Sequence, residues 1–313
     1  MKTLIFATRP SALARWQTQW VIYALEQAWP GLQCREEVIT TEGDRVLNRP
    51  LPEIGGKGLF TQELEEELLS GRVHVAVHSL KDLPVENSSR LVLGAVPARS
   101  SVEDVLVSKD GFALDTLPPG ALVGTSSLRR SAQVLAYRPD VQIIPLRGNV
   151  DTRIRKAESG QYDAIVLAAA GVLRLGLEDH ISQRIPLEIV LPAPGQGALA
   201  VQCAAEDKET LELLAAIHDP ATQLATAAER AFLTKLGGGC SLPVAAHATI
   251  SESSEGNLIS LSGLVADPDG SRVIRCQQEG HDPDELGALC AKVVISHGAE
   301  ALLNAIPKKE STI

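Results

Sequence analysis

Three stretches of this sequence combine residue types and spacings that could do chemistry. The first, KLGGGCSLPV (235–244), sets Cys240 behind three glycines and just ahead of a proline. Glycines suit a helix C-cap and an exposed bend, so this thiol could be reactive or modified; the alternative is the inert buried thiol that most free cysteines are. The second, HSLKDLP (78–84), puts a hydroxyl, a cation and a carboxylate (Ser79, Lys81 and Asp82) at the exit of a strand. It reads either as a site with one catalytic carboxylate or as a surface ion pair in a turn, which is common and weak. The third runs from Thr125 to Lys156. It holds seven bases (Arg129, Arg130, Arg138, Arg147, Arg153, Arg155 and Lys156) against two acids, Asp140 and Asp151, a +5 stretch in a protein of net charge -10. Its TSSLRR segment places hydroxyls and free backbone N–H groups at a helix start, where anions bind, and arginine suits bidentate recognition of carboxylate or phosphate. The alternative is a solvated helix face.

Other patterns are weaker. IGGKG (54–58) is not a phosphate-binding loop, because Leu51 and Gly58 stand where glycine and Ser/Thr are required. It reads as a glycine-rich loop carrying Lys57, a candidate lid. No G-x-G-x-x-G precedes a helix. His74 and His78 are spaced for a metal on a helix, but VHVAVHS alternates with period two and reads as a strand with Val73, Val75 and Val77 on one face. No metal site is expected. The five cysteines (34, 203, 240, 276 and 290) are odd in number and scattered, so neither a disulfide framework nor a zinc site is indicated.

The elements that must position these residues follow a strand–helix–strand pattern. TLIFA is a strand. The next helix starts near Ser11, carries Leu13, Trp16, Trp20, Ala24 and Ala28 along one side, and stops at Pro30-Gly31. REEVIT is a strand, LFTQELEEELLSG a helix with Phe60, Leu64 and Leu68 four apart, and RVHVAVHS a strand. A second such series runs through ALVGT, SSLRRSAQVLAY, VQIIPL, NVDTRIRKAESG and YDAIVLAAAG (162–171), with GQGALAVQC favouring strand. Repetition of this unit indicates a parallel-type α/β layer. After about residue 220 the pattern becomes a helix, three β-rich runs with a DPDG hairpin turn (267–270), and a closing helix over about 283–305, which describes an α+β unit.

A length of 313 residues allows two or three domains. The acidic balance argues against nucleic-acid or anionic-membrane binding. The longest apolar run, 164–173, is too short to span a bilayer, and Arg9 interrupts the apolar start too early for a secretory signal. A cytoplasmic location is expected. Together the residues suggest a polyanionic ligand in a cleft between two α/β domains, near one catalytic carboxylate and one exposed thiol. Two functions fit: an enzyme acting on a polyanionic substrate, or a cytosolic polyanion-binding protein of solute-binding type. The missing export signal and DNA-binding segment, and a thiol with no role in simple binding, favour the enzyme.

The chain also resembles the porphobilinogen deaminase (hydroxymethylbilane synthase) family. The resemblance rests on ATRPSALA, GGKGLFTQELE, AVHSLKDLP, GTSSLRR, LRGNVDTR, LAAAGVLRLG, PGQGALAVQ, HDPAT, AERAFL and GGGCSLPVA, in order along nearly the whole chain. It implies a transferase that joins four porphobilinogen molecules head to tail with loss of ammonia, giving hydroxymethylbilane for haem and chlorophyll. It implies a dipyrromethane cofactor held by a thioether to Cys240, and Asp82 as the catalytic aspartate. Ser79, Lys81, Thr125, Ser126, Ser127, Arg129 and Arg130 match cofactor-holding positions. Arg9, Ser11, Arg147, Arg153, Arg174 and Gln196 match positions lining the substrate path, and Lys57 and Phe60 fall in the lid region. The implied fold is two α/β domains like those of periplasmic binding proteins plus a smaller α+β domain: 1–99 with 196–218, 100–195, and 219–313. A monomer with a small-molecule substrate is implied, whose product can pass to the next pathway enzyme. Leu80 and His74 depart from the residues most frequent in the family at their positions, and neither falls on an expected catalytic role.

Overall fold

The computed structural model describes residues 3–45, 59–85, 88–238, 242–254 and 256–305; Lys57 and Cys240 lie outside the described residues. The chain forms two compact units, one of Met1–Ser100 with Ala198–Gln223 and one of Ser101–Gly197 with Leu224–Glu310.

In the first unit, β1 (Thr3–Thr8) runs parallel to β2 (Gln33–Val38) and β3 (Val75–Ser79). The chain returns to this sheet as β10 (Leu199–Ala204), antiparallel between β3 and β4 (Leu91–Ala95), giving the order β2-β1-β3-β10-β4. Helix α1 (Ala12–Ala28) is capped by Ser11, whose hydroxyl accepts from the Ala14 N–H. The side expected to carry Trp16 and Trp20 is not the one that packs. Ala14, Gln17, Thr18, Val21, Ile22 and Leu25 are buried, whereas both tryptophans are 37 % exposed. A second stripe at helical spacing, led by Val21 and Leu25, meets Leu4 and Phe6 of β1 in the core, and its slimmer side chains let the helix approach the sheet. A short helix α2 (Glu42–Arg45) precedes α3 (Gln62–Ser70), which buries Leu64 and Leu68 and ends at left-handed Gly71. Phe60 lies before the helix, not on its core face as the spacing suggested, because the helix starts only after Thr61. Helix α7 (Lys208–Ala215) follows β10.

The second unit repeats the strand plan. β6 (Leu122–Gly124) lies parallel to β7 (Gln142–Ile144) and β8 (Ala164–Ala168), and β5 (Asp104–Ser108) lies antiparallel between β8 and β9 (Gln183–Arg184), in the order β7-β6-β8-β5-β9. Helices α4 (Leu128–Tyr137) and α5 (Val150–Glu158) connect the parallel strands. The strand expected over 162–171 ends at Ala168, where alanines that favour helix begin α6 (Ala169–Arg174). β5 was not legible as a strand, although all five of its residues are buried.

The same unit holds an antiparallel sheet of β11 (Val244–Ser253), β12 (Gly256–Ala266) and β13 (Val273–Gly280). It is covered by α8 (Pro220–Lys235, in this unit from Leu224) and α9 (Pro283–Ser296), around a core that includes Phe232, Val265 and Leu286. The closing helix is two pieces. It breaks at Gly298, whose φ of 96° stops α9 before α10 (Ala299–Ala305) begins. The DPDG turn forms as expected, and a Cβ on Gly270 would sit 2.5 Å from the Ala136 backbone nitrogen, so this hairpin needs glycine to lie on α4. One cysteine expectation is corrected: Cys276 and Cys290 are joined as a disulfide, with Cα atoms 6.0 Å apart. An inward position of β13 and a core position of α9 meet across the sheet–helix core, a proximity that spacing in sequence does not reveal.

Glu229 of α8 is fully buried and accepts backbone N–H bonds from Gly195 at 2.6 Å and Ala248 at 2.8 Å. It ties the PGQG segment to β11. Glu229→Ala strands two buried donors, each costing about 1–3 kcal/mol, so a loss of roughly 2–6 kcal/mol is expected in urea unfolding. A loss under ~0.5 kcal/mol, the range of ordinary surface changes, would show that the tie is unimportant.

Candidate active site

In the first unit, β3 delivers Ser79 and a 3-10 turn, Leu80–Asp82. Leu80 and Leu83 are buried among Val96, Ala198 and Ala200, and the Leu80 N–H donates to the Ala198 carbonyl. Asp82 is therefore exposed between two anchored leucines, and it makes no hydrogen bond or ion pair among the described residues. The Ser79 hydroxyl accepts from Gln17 at 2.9 Å. A cavity of about 70 Å³ is lined by Asp82, Ser79, Arg9, Ser11, Phe60 and Gln17, among others. Five residues named from the sequence thus meet at one place in this unit.

Arg9 leaves the end of β1 and is held on two sides. Its guanidinium donates to both oxygens of Asp44, through Nε at 3.2 Å and through Nη2, and it lies 4.2 Å from the centre of the Phe60 ring. Burial raises the Asp44 pKa, but the bond and charge of Arg9 and the bonds from Thr41 outweigh it and lower the value. Asp44 was missed in the sequence, where "TEGDR" offers no motif. His78, on the packed side of β3, is held neutral: burial pulls its pKa down to about 4.

In the second unit, the TSSLRR segment starts α4. Ser127 caps the helix, the Thr125 hydroxyl accepts from the Ser127 N–H at 3.2 Å, and the Ser126 hydroxyl exchanges bonds with both backbone groups of Leu146. Arg129 and Arg130 are 4 % and 6 % exposed. Both bind the fully buried Asp104 carboxylate, and Gln196 joins them, donating to Asp104 at 3.0 Å and to the Val102 carbonyl at 2.7 Å. Burial pushes the Asp104 pKa up, yet the two guanidiniums hold it far below the usual carboxylate range. Asp104 was also missed, because its strand was.

The basic stretch therefore divides. Arg138 pairs with Asp140 and donates to the Leu114 and Leu117 carbonyls, a structural role. Arg155 is an exposed partner of Asp151 one helical turn away, and for it the solvated-face reading holds. Arg153 donates to the Gly148 carbonyl at 2.6 Å, and Lys156 to that of Arg147 at 3.0 Å. Arg174 donates to the Gly197 carbonyl at 2.8 Å, and burial lowers its pKa to about 10, so it stays cationic at neutral pH.

Two family models cover this chain. "Porphobilinogen deaminase, dipyromethane cofactor binding domain" matches residues 4–212, and "Porphobilinogen deaminase, C-terminal domain" matches residues 223–295. The chain belongs to the porphobilinogen deaminase family. It is 52 % identical to the porphobilinogen deaminase of Brevibacillus brevis over 95 % of both chains, and 46 % identical to that of Geobacillus kaustophilus over 99 % of both. Among solved structures it is similar to a double mutant of the VFT2 domain of Bordetella pertussis BvgS, at 18 % identity and a TM-score of 0.41, over 71 % of this chain and 89 % of that one. The first porphobilinogen deaminase model spans both groups of residues above, and the second begins in α8, which leads to the Cys240 segment.

Proposed function

We infer that this chain joins four porphobilinogen molecules head to tail, with loss of ammonia at each joining, and releases hydroxymethylbilane for tetrapyrrole synthesis. Family membership over nearly the full length supports the reaction. The observation that carries it to particular residues is the meeting of Asp82, Arg9, Ser11 and Ser79 around one cavity.

The donor set of the second unit fits a dipyrromethane. Two buried guanidiniums share one carboxylate, which leaves a positive charge for the acetate and propionate groups of such a cofactor. Arg129, Arg130, Thr125, Ser126 and Ser127 would hold it, with Ser79 and Lys81, and Cys240 would attach it. When bound, it primes the growing chain. Burial pushes the thiols of Cys34 and Cys203 up to about 11, and Cys276 and Cys290 are joined to each other, so none of these four suits attachment.

We assign the work on cations to Asp82. The buried leucines on either side anchor its turn, and its carboxylate is exposed to meet substrate. It would steady the positive charge left when ammonia departs and accept the pyrrole proton. Arg9, Ser11, Phe60 and Lys57 would receive the carboxylates of incoming porphobilinogen, and Arg147, Arg153, Arg174 and Gln196 those of the lengthening chain. No helix among the described residues is long and apolar enough to cross a membrane. On this reading the protein is a cytoplasmic monomer of three domains (1–99 with 196–218, 100–195, 219–313) that can hand its product to the next pathway enzyme.

Purified protein given porphobilinogen is expected to release one ammonia per molecule joined and to yield a linear tetrapyrrole. Binding without ammonia release would instead support a polyanion-binding protein.

A further inference from the structure

Arg129 and Arg130 do not stand free at the helix start. Both turn inward onto one residue of β5. Asp104 Oδ2 accepts from Arg129 Nη1 at 2.7 Å, and Oδ1 accepts from Arg130 Nε at 3.1 Å and Nη2 at 2.8 Å. Gln196 Nε2 donates to the same Oδ1. The far ends are pinned as well, Arg129 Nη1 to the Leu191 carbonyl at 2.7 Å and Arg130 Nη1 to the Val166 carbonyl at 3.1 Å. Gln133 fixes Leu191 in turn, through both its N–H and its carbonyl.

A simple structural ion pair needs one cation for one anion. Here two buried guanidiniums share a single fully buried carboxylate, with no other acid bound to either among the described residues. One positive charge is left over, and an uncompensated buried charge is costly. The hydrogen bonds are also unevenly spread. Arg129 uses only Nη1 in them, so its Nε and Nη2 have no acceptor among the described residues. The cluster thus keeps N–H groups of Arg129 and one positive charge for a further acceptor.

We propose that Asp104 is a positioning residue: it aims the two guanidiniums so that their remaining N–H groups and spare charge receive a carboxylate of the dipyrromethane. This rests on the proposed assignment of Arg129 and Arg130 as cofactor-holding residues. Asp104 touches neither substrate nor cofactor, and acts through the arginines. Its place at the start of a central strand, paired to Ala168 of β8 and with its carbonyl accepting from the Ile185 N–H, makes it a rigid reference point.

The test uses full-length chains isolated without cofactor: the original sequence, Asp104→Asn and Asp104→Glu. Each is given porphobilinogen as probe, well below its own Tm, and the dipyrromethane mass increment is followed with time. Misplacing a binding group by about 1 Å can cost ~100-fold, so Asp104→Asn is expected to load ~100-fold more slowly. Asp104→Glu keeps the charge but shifts it by one methylene, and is expected to recover most of the Tm while loading roughly 10-fold slowly. A purely structural role would lower Tm and leave the loading rate of folded protein unchanged, so loading at the original rate by either folded variant overturns the proposal. If Asp104→Asn does not fold, Asp104→Glu decides alone on the same criterion. Failure of the unsubstituted chain to gain the increment would overturn the cofactor reading itself, and the proposal with it.

Discussion

Asp82→Asn is expected to yield a folded protein that still carries its cofactor and turns over roughly 10²–10⁴-fold more slowly. The substitution keeps the size of the side chain and removes its charge. Stability should change little, because the carboxylate is exposed and makes no ion pair among the described residues, and even an exposed pair is worth only about 0–1 kcal/mol. The turn is held instead by Leu80 and Leu83, which are buried, and by the bond from Leu80 to Ala198. The loss should therefore fall on the chemical step, in which a cation forms and a proton leaves. Asp82→Glu should retain part of the activity, since the charge remains but moves by one methylene. Single-turnover ammonia release from cofactor-loaded protein separates these outcomes. Near-original turnover in Asp82→Asn would assign the catalytic role to another residue.

Cys240→Ser is expected to abolish covalent cofactor attachment, and with it essentially all turnover. Intact mass should show the dipyrromethane increment in the original protein and not in the variant. A serine hydroxyl remains largely protonated at neutral pH and lacks the nucleophilicity of a thiol, so no slow substitute bond is expected. The variant should also melt at a lower temperature than cofactor-loaded protein. A bound polyanion adds charge-assisted hydrogen bonds of roughly 1.5–3 kcal/mol each before the cost of ordering the chain. Cys34→Ser and Cys203→Ser should keep the increment, because burial pushes both of those thiols up to about 11. A fully active Cys240→Ser protein without added mass would refute the attachment site.

The alternation in VHVAVHS and the helical spacing in SSLRRSAQVLAY were legible because both elements bury one face, and burial imposes a period on the sequence. The same logic placed Ser79 and Asp82 at a strand exit and the TSSLRR hydroxyls at a helix start, where the structure makes Ser127 the cap. A glycine-flanked cysteine and an arginine-rich stretch in an acidic chain were likewise visible, since composition requires no knowledge of contacts. Several features depended on partners distant in sequence. Trp16 and Trp20 share a helical stripe, yet the stripe facing β1 is set by which side chains fit against Leu4 and Phe6. Cys276 meets Cys290 only because β13 and α9 pack on one core. Asp44 is 35 residues from Arg9, and Asp104 is 25 from Arg129. A carboxylate that serves a distant guanidinium leaves no periodic trace in its own segment. The sequence alone determined the strand–helix–strand plan of β1–β3 and β6–β8, the glycine-flanked cysteine and the supply of cations. Only the tertiary structure decided which cations turn inward, because burying a guanidinium is tolerable only where folding brings a carboxylate to it.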